Sequence, residues 1–148
     1  VSIVIPEGVT SISENAFNSC QSLTSVTLPS TLDYIGSASF AGCVALPSIT
    51  VPEGVETVMD SAFSNCTALA EVDLPASLKK IGNYVFEKCT ALRNITLPSA
   101  LTTIGIGAFK VSAITEIVIP EGVTKLEAEV FSGCASLVSV TLPSKVSA

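Results

Sequence analysis

Residues Pro29-Ser-Thr-Leu32-Asp-Tyr-Ile35-Gly-Ser-Ala-Ser-Phe40-Ala-Gly-Cys43-Val-Ala-Leu46-Pro-Ser-Ile49-Thr-Val51 are one copy of a unit that returns down the whole chain. Seven prolines mark it: Pro6, Pro29, Pro52, Pro75, Pro98, Pro120 and Pro143, spaced by 23 residues except for one step of 22. The six phenylalanines (Phe17, Phe40, Phe63, Phe86, Phe109, Phe131) keep the same interval, as do the five cysteines (Cys20, Cys43, Cys66, Cys89, Cys134). Self-similarity at a fixed period of this size predicts a solenoid, in which each repeat is one structural turn that buries its apolar face only against its neighbours.

The segment before each proline alternates, as in Ser25-Val26-Thr27-Leu28, Ser48-Ile49-Thr50-Val51 and Glu71-Val72-Asp73-Leu74. Period-two alternation rich in β-branched residues is a strand with one buried face. Proline ends it because it has no N–H to give to the next rung. A turn follows, written Pro-Glu-Gly at Pro6, Pro52 and Pro120, where proline fixes φ and glycine can supply φ > 0. Apolar residues then recur by threes (Leu78 and Ile81; Phe86, Cys89 and Leu92). That spacing predicts a 3₁₀ or single α turn on the side opposite the strands. Seven strands stacked at ~4.8 Å would span roughly 30 Å.

Composition narrows the function. Apolar residues make up 48% of the 148-residue chain, but no run approaches the ~18 needed for a membrane span. A net charge of -6 with seven basic residues disfavours a nucleic-acid partner, which requires clustered Lys and Arg. The chain opens at Val1 within a strand pattern, with no signal-peptide pattern before it. The expectation is a piece of a longer protein.

Leu23-x-x-Val26-x-Leu28-Pro29-x-x-Leu32-x-x-Ile35, followed by Ser39-Phe40-x-x-Cys43-x-x-Leu46, resembles the BspA-like, or Treponema-type, leucine-rich repeat. The likeness covers nearly the whole chain. It implies an α/β repeat solenoid spanning 1–148 as one array of about six repeats, with a parallel sheet on one face and short turns or 3₁₀ segments on the other. It further implies a secreted or cell-surface protein that contacts protein or glycan ligands, among them host extracellular-matrix proteins. Two features depart from the family pattern. The fifth unit is one residue short at Val111-Ser112-Ala113-Ile114, which predicts a tighter or bulged rung, and neither end carries a polar capping unit.

The candidate binding residues are the outward strand positions: Ser25 and Thr27, Ser48 and Thr50, Glu71 and Asp73, Asn94 and Thr96, Glu116 beside Val118, and Ser139 and Thr141. Solenoids of this class bind partners on that concave face, although β-branched and polar residues also suit an exposed strand in their own right. Glu71 and Asp73 are too few oxygen ligands for Ca²⁺. A docking spot for a basic side chain fits them better. The cysteines, on successive rungs with parallel side-chain vectors, suit neither a disulfide nor, without histidine or a Cys-x-x-Cys pair, a zinc site. They read as buried free thiols. Asn65-Cys66-Thr67 and Asn94-Ile95-Thr96 match the glycosylation sequon, and a glycan on Asn94 would block the strand face. Lys79, Lys80, Tyr34 and Lys125 read as solvated turn-side groups.

Catalysis has no support in the residue types: no histidine, no phosphate-cradling loop, and no base beside any Ser or Thr. No cofactor, metal or catalytic residue is expected. The leading reading is therefore a recognition module binding through the strand face. The alternative is a scaffold that stacks end to end through unpaired strand edges. The aromatic column makes a first prediction about the fold. Phe63→Ala, between two ringed neighbours that cannot collapse into the cavity, should lower unfolding free energy by ~3–5 kcal/mol, read from urea denaturation.

Overall fold

The computed structural model describes residues 1–147. Their strands, in chain order, are β1 (Ser2–Val4), β2 (Ser11–Ile12), β3 (Ser25–Thr27), β4 (Tyr34–Ile35), β5 (Ser48–Thr50), β6 (Thr57–Val58), β7 (Glu71–Asp73), β8 (Lys80–Ile81), β9 (Thr103–Ile104), β10 (Glu116–Val118) and β11 (Ser139–Thr141). All pairing is parallel. No helix occurs among the described residues, so the α part of the expected α/β class is absent. The solenoid is built from strands and turns alone.

Two ladders run along it. The longer, β2-β4-β6-β8-β9, lies where a 3₁₀ turn was expected. The i, i+3 spacing of Leu78 and Ile81 has another cause. Leu78 closes a turn by donating its N–H to Pro75 O (3.2 Å), and the chain then extends for two residues with Ile81 inward and Lys80 outward. Gly82 N–H reaches Val58 O on the rung before (2.9 Å). A two-residue strand is too short to display an alternation in sequence.

The phenylalanine segment is also not a 3₁₀ helix. Some of its N–H groups bond three residues back, as Cys43 does to Phe40 O (3.2 Å). The alternate ones bond to the next rung: Ala38 to Asp60 O (2.9 Å), Phe40 to Ala62 O (2.9 Å) and Gly42 to Ser64 O (2.8 Å). The switch is made by left-handed residues two before and two after each phenylalanine. Asn15, Ala38, Ser61, Tyr84, Gly107 and Glu129 form the first such column, and Ser19, Gly42, Asn65, Lys88, Val111 and Gly133 the second. Left-handed φ costs a non-glycine residue roughly 1–2 kcal/mol, and Val111, β-branched at φ 56°, is the most strained kind of occupant.

Between the ladders lies the core. Phe40, Phe63, Phe86 and Phe109 are fully buried. All six rings stack face over face, with centroids 5.2–5.9 Å apart and planes within 14° of parallel. Leu32, Leu78 and Leu101, with Ile35, Val58, Ile81 and Ile104, fill adjoining columns, each side chain contributing ~1.5–3 kcal/mol. The short fifth unit keeps these columns. Ser112 takes the cysteine place, its N–H on Phe109 O (3.0 Å), and Ile114 is buried in the leucine place with one intervening residue where other units have two.

The strand-face ladder is discontinuous. Its seven rungs are β1, β3, β5, β7, residues 94–96, β10 and β11, and only β1-β3, β5-β7 and β10-β11 are hydrogen-bonded. Each bonded junction begins with a unit that ends in Pro-Glu-Gly. Ile5, Val51 and Ile119 donate their N–H to Thr27 O, Asp73 O and Thr141 O (3.0, 2.9 and 2.9 Å). The turn glutamates then reach across: Glu7 accepts from Ser30 N–H (3.0 Å), Glu53 from Ala76 N–H (3.0 Å) and Glu121 from Ser144 N–H (3.2 Å). Pro-Glu-Gly is thus a clamp onto the following rung. Its glycines are not equivalent: Gly8 and Gly54 are left-handed, while at Gly122 a Cβ would meet Leu101 O at 2.8 Å.

Ser39 is the one buried residue whose side-chain oxygen finds no partner among the described residues. Alanine already occupies the same column at Ala16, Ala62 and Ala108. Ser39→Ala should therefore raise unfolding free energy by about 1 kcal/mol, the cost of an orphaned hydroxyl, seen as a higher urea midpoint at unchanged m-value.

Candidate binding face

Ser25, Thr27, Ser48, Thr50, Glu71, Asp73, Asn94, Thr96, Glu116, Ser139 and Thr141 are all exposed, as the alternation requires. Between the outward columns, Ile49, Ile95 and Ile117 point into the core, with Val26, Val72 and Val140 packed against it. Register places Ser48 beside Glu71, Thr50 beside Asp73, Glu116 beside Ser139 and Val118 beside Thr141. Asn94 and Thr96 have no such partners. Their rung is not a strand, and among the described residues no backbone hydrogen bond joins residues 94–97 to another rung. The fifth rung was expected to be a seventh strand. It is held instead through its neighbour, Arg93 O, which accepts Thr115 N–H (2.9 Å).

A cleft flanks this rung on each side. One, of about 670 Å³, is lined by Glu71, Asp73, Arg93, Asn94 and Thr96. The other, of about 550 Å³, lies among Asn94, Thr96, Ser99, Glu116 and Glu121. Arg93 escaped the reading from alternation because it precedes the strand positions. The available signal was that it is the sole arginine of the chain. Among the described residues it makes no ion pair; those present are Lys79–Glu56, Lys110–Glu129 and Lys125–Glu127.

Polar side chains divide sharply between the two sides of the molecule. Off the strand face they hold rungs together: Asp60 accepts from Asn83 N–H (2.9 Å) and Asn83 Oδ1 from Ile106 N–H (2.8 Å). Thr31 and Ser77 Oγ accept from Gly8 and Gly54 N–H (2.9 and 3.1 Å). Ser30 N–H and hydroxyl hold the Glu7 carboxyl below its usual range. Among the eleven candidate side chains one weak contact occurs, Thr115 Oγ1 to Asn94 Oδ1 (3.4 Å).

The cysteines are free: Cys43, Cys66 and Cys89 buried, Cys20 and Cys134 half-buried. Cys43, Cys66, Cys89 and Cys134 Sγ donate to Phe17, Phe40, Phe63 and Phe109 O at 3.2, 3.1, 3.3 and 3.0 Å. Each thiol therefore caps a carbonyl of the previous phenylalanine turn as well as filling space. Burial first, and the neighbouring thiol second, push Cys43 up to about 11 and Cys66 to about 12. No group of three metal-ligating side chains occurs among the described residues.

Parallel rungs of 23 residues, a proline-ended strand face and stacked leucine columns define a leucine-rich repeat solenoid. The chain belongs to the BspA type leucine rich repeat region family, which matches it in six copies over residues 1–112 and 58–148. It is similar to the T. pallidum leucine rich repeat protein at 36% identity and a TM-score of 0.94, covering 98% of this chain and 71% of that one. A Bacteroides ovatus leucine-rich repeat protein is 30% identical with a TM-score of 0.82, over 98% of this chain and 43% of its own. A leucine rich cell surface protein of Faecalibacterium prausnitzii is 27% identical with a TM-score of 0.67, over 98% and 54%. No curated protein matches the chain.

The buried thiols of Cys43, Cys66 and Cys89, all pushed up by burial, give a pH prediction. They stay neutral in the fold above the ordinary thiol value of 9.0, whereas an unfolded chain releases their protons there. The stabilisation is complete below pH 9 and is lost as pH rises towards 11–12. Urea midpoints in reductant should fall from pH 8.5 to 10.5, with a shallower fall in Cys66→Ala.

Proposed function

We propose that this chain is a non-enzymatic recognition module that binds a protein partner outside the cell through its strand face. One observation supports the reading above the others. The hydroxyls and carboxylates of this face, and its Asn94 amide apart from one 3.4 Å contact, are left out of the hydrogen bonding that engages polar side chains elsewhere, and they stand on a backbone fixed by the stacked core. Such a surface presents donors and acceptors without reorganising, which limits the cost of association. Membership of the leucine-rich repeat family and the cell-surface description of the F. prausnitzii relative agree with it. Among the described residues no helix is long and apolar enough to cross a membrane.

A second reading, end-to-end stacking as a scaffold, has its own support in apolar side chains near the terminal rungs: Val1 is 71% exposed, Val138 82% and Leu142 49%. One experiment separates the two. Protein whose size is followed by light scattering is passed over immobilised extracellular-matrix proteins. The recognition reading expects a monomer that binds, and at least tenfold weaker binding for Glu71→Lys/Asp73→Lys/Asn94→Ala at unchanged thermal midpoint, with Lys80→Glu on the opposite ladder harmless. Binding indifferent to the strand-face changes overturns it. Concentration-dependent growth into long particles, blocked by Val140→Glu, selects stacking instead.

A further inference from the structure

Resting on the strand-face reading, we infer that the fifth rung, residues 94–97, is where the partner docks, and that the partner presents an extended basic peptide segment. The argument begins with the clamps. Units ending in Pro-Glu-Gly alternate with units ending in Pro followed by a small residue, so that rung one closes on two and rung three on four. The fifth rung breaks the alternation: it follows a small-residue turn (Pro75-Ala76-Ser77) and ends in another (Pro98-Ser99-Ala100). No glutamate reaches it from below and none reaches from it to the rung above. It stands alone between β7 and β10, and the two strand-face clefts lie on its two sides.

An unclamped rung in the interior of a ladder, with a cleft on each side, leaves backbone groups free for a partner as a sheet edge does. Its N–H and C=O groups carry no partner among the described residues, and an extended peptide can satisfy them while its side chains settle in the flanking clefts. Charge selects the kind of peptide. Glu71, Asp73 and Glu116 line the clefts against Arg93 alone, and among the described residues none of the three carboxylates is in an ion pair. Lys or Arg side chains at alternate positions of the segment fall on them. A saccharide fits less well, because the clefts contain no aromatic ring to stack against a sugar. The phenylalanines lie in the core and the tyrosines on the turn side.

The test installs the missing clamp. Ala76→Glu places a carboxylate where Glu7, Glu53 and Glu121 stand in their units, within reach of Ser99 N–H, and closes β7 onto the fifth rung. The probes are a twelve-residue peptide of alternating Lys and Thr and its Glu/Thr counterpart, titrated by fluorescence anisotropy at 150 mM salt. The expected result is binding of the Lys/Thr peptide at least tenfold tighter than the Glu/Thr peptide, and at least tenfold weaker binding to Ala76→Glu, although that variant is more acidic. Hydrogen exchange should show the peptide slowing amides 94–97 in the native protein. Equal or tighter binding by Ala76→Glu, no preference for the basic peptide, or protection elsewhere overturns the inference. If Ala76→Glu binds normally while the strand-face triple variant does not, the strand face survives and the fifth-rung assignment falls. Indifference to both removes the two together.

Discussion

The phenylalanine turn has to bond in two directions at once, inward to close itself and along the axis to hold the next copy, and the rest of the solenoid follows from that requirement. A right-handed 3₁₀ turn would direct its N–H groups back into itself. The left-handed residues on either side of each phenylalanine rotate alternate peptides outward, and the freed N–H groups catch the rung above. Once they do, identical rings lie over one another at 5.2–5.9 Å, and each thiol meets the carbonyl below. The aromatic column is therefore as much a product of the backbone ladder as its support. Nine non-glycine residues held at positive φ show that the ladder and the packing outweigh a local penalty repeated in every unit.

That same device explains what could and could not be read from the residues. The phenylalanine, leucine and cysteine columns recur because one side-chain volume fits one slot, and they made the solenoid and its strand face legible. The left-handed columns were invisible. Asn15, Ala38, Ser61, Tyr84, Gly107 and Glu129 have no chemistry in common, since the constraint acts on the backbone. The second ladder was misread as a 3₁₀ turn because a two-residue strand such as Thr57–Val58 leaves one inward side chain per rung, and one apolar residue has no period. The eleven candidate residues are exposed, as the alternation along their rungs requires. The opening of the sheet around Asn94 was not foreseen, because hydrogen bonds between rungs depend on the turn that follows a strand and leave no trace in its alternation.

The turn sequence therefore carries information that the strand does not. Ser25-Val26-Thr27 and Ser48-Ile49-Thr50 are nearly the same strand, yet the first is bonded to the rung before it and the second only to the rung after. What differs is the turn beyond, Pro29-Ser-Thr against Pro52-Glu-Gly. A side chain of two methylenes and a carboxylate spans one rung step, and serine is too short to do so. Proline at position 47 removes one more donor at the β3/β5 junction. Rung pairing on the strand face is thus set unit by unit, while the opposite ladder runs unbroken from β2 to β9 and keeps the units in line whether or not the strand face closes.

This division of labour frees the strand face for recognition. In most sheets the bonds that define the surface are also the bonds that hold the fold, so a surface cannot be opened without a loss of stability. Here the phenylalanine turns and the opposite ladder hold successive units together, and the polar side chains on those sides are already engaged in doing so. The strand face can then lose its bonds around residues 94–97 without loss of the array. Substitutions at Glu71, Asp73 or Asn94 alter what the face presents and leave untouched every column on which stacking depends. A scaffold with this independence can change its ligand by changing two outward positions per rung and one turn residue, which is the freedom a binding module of repeated units requires.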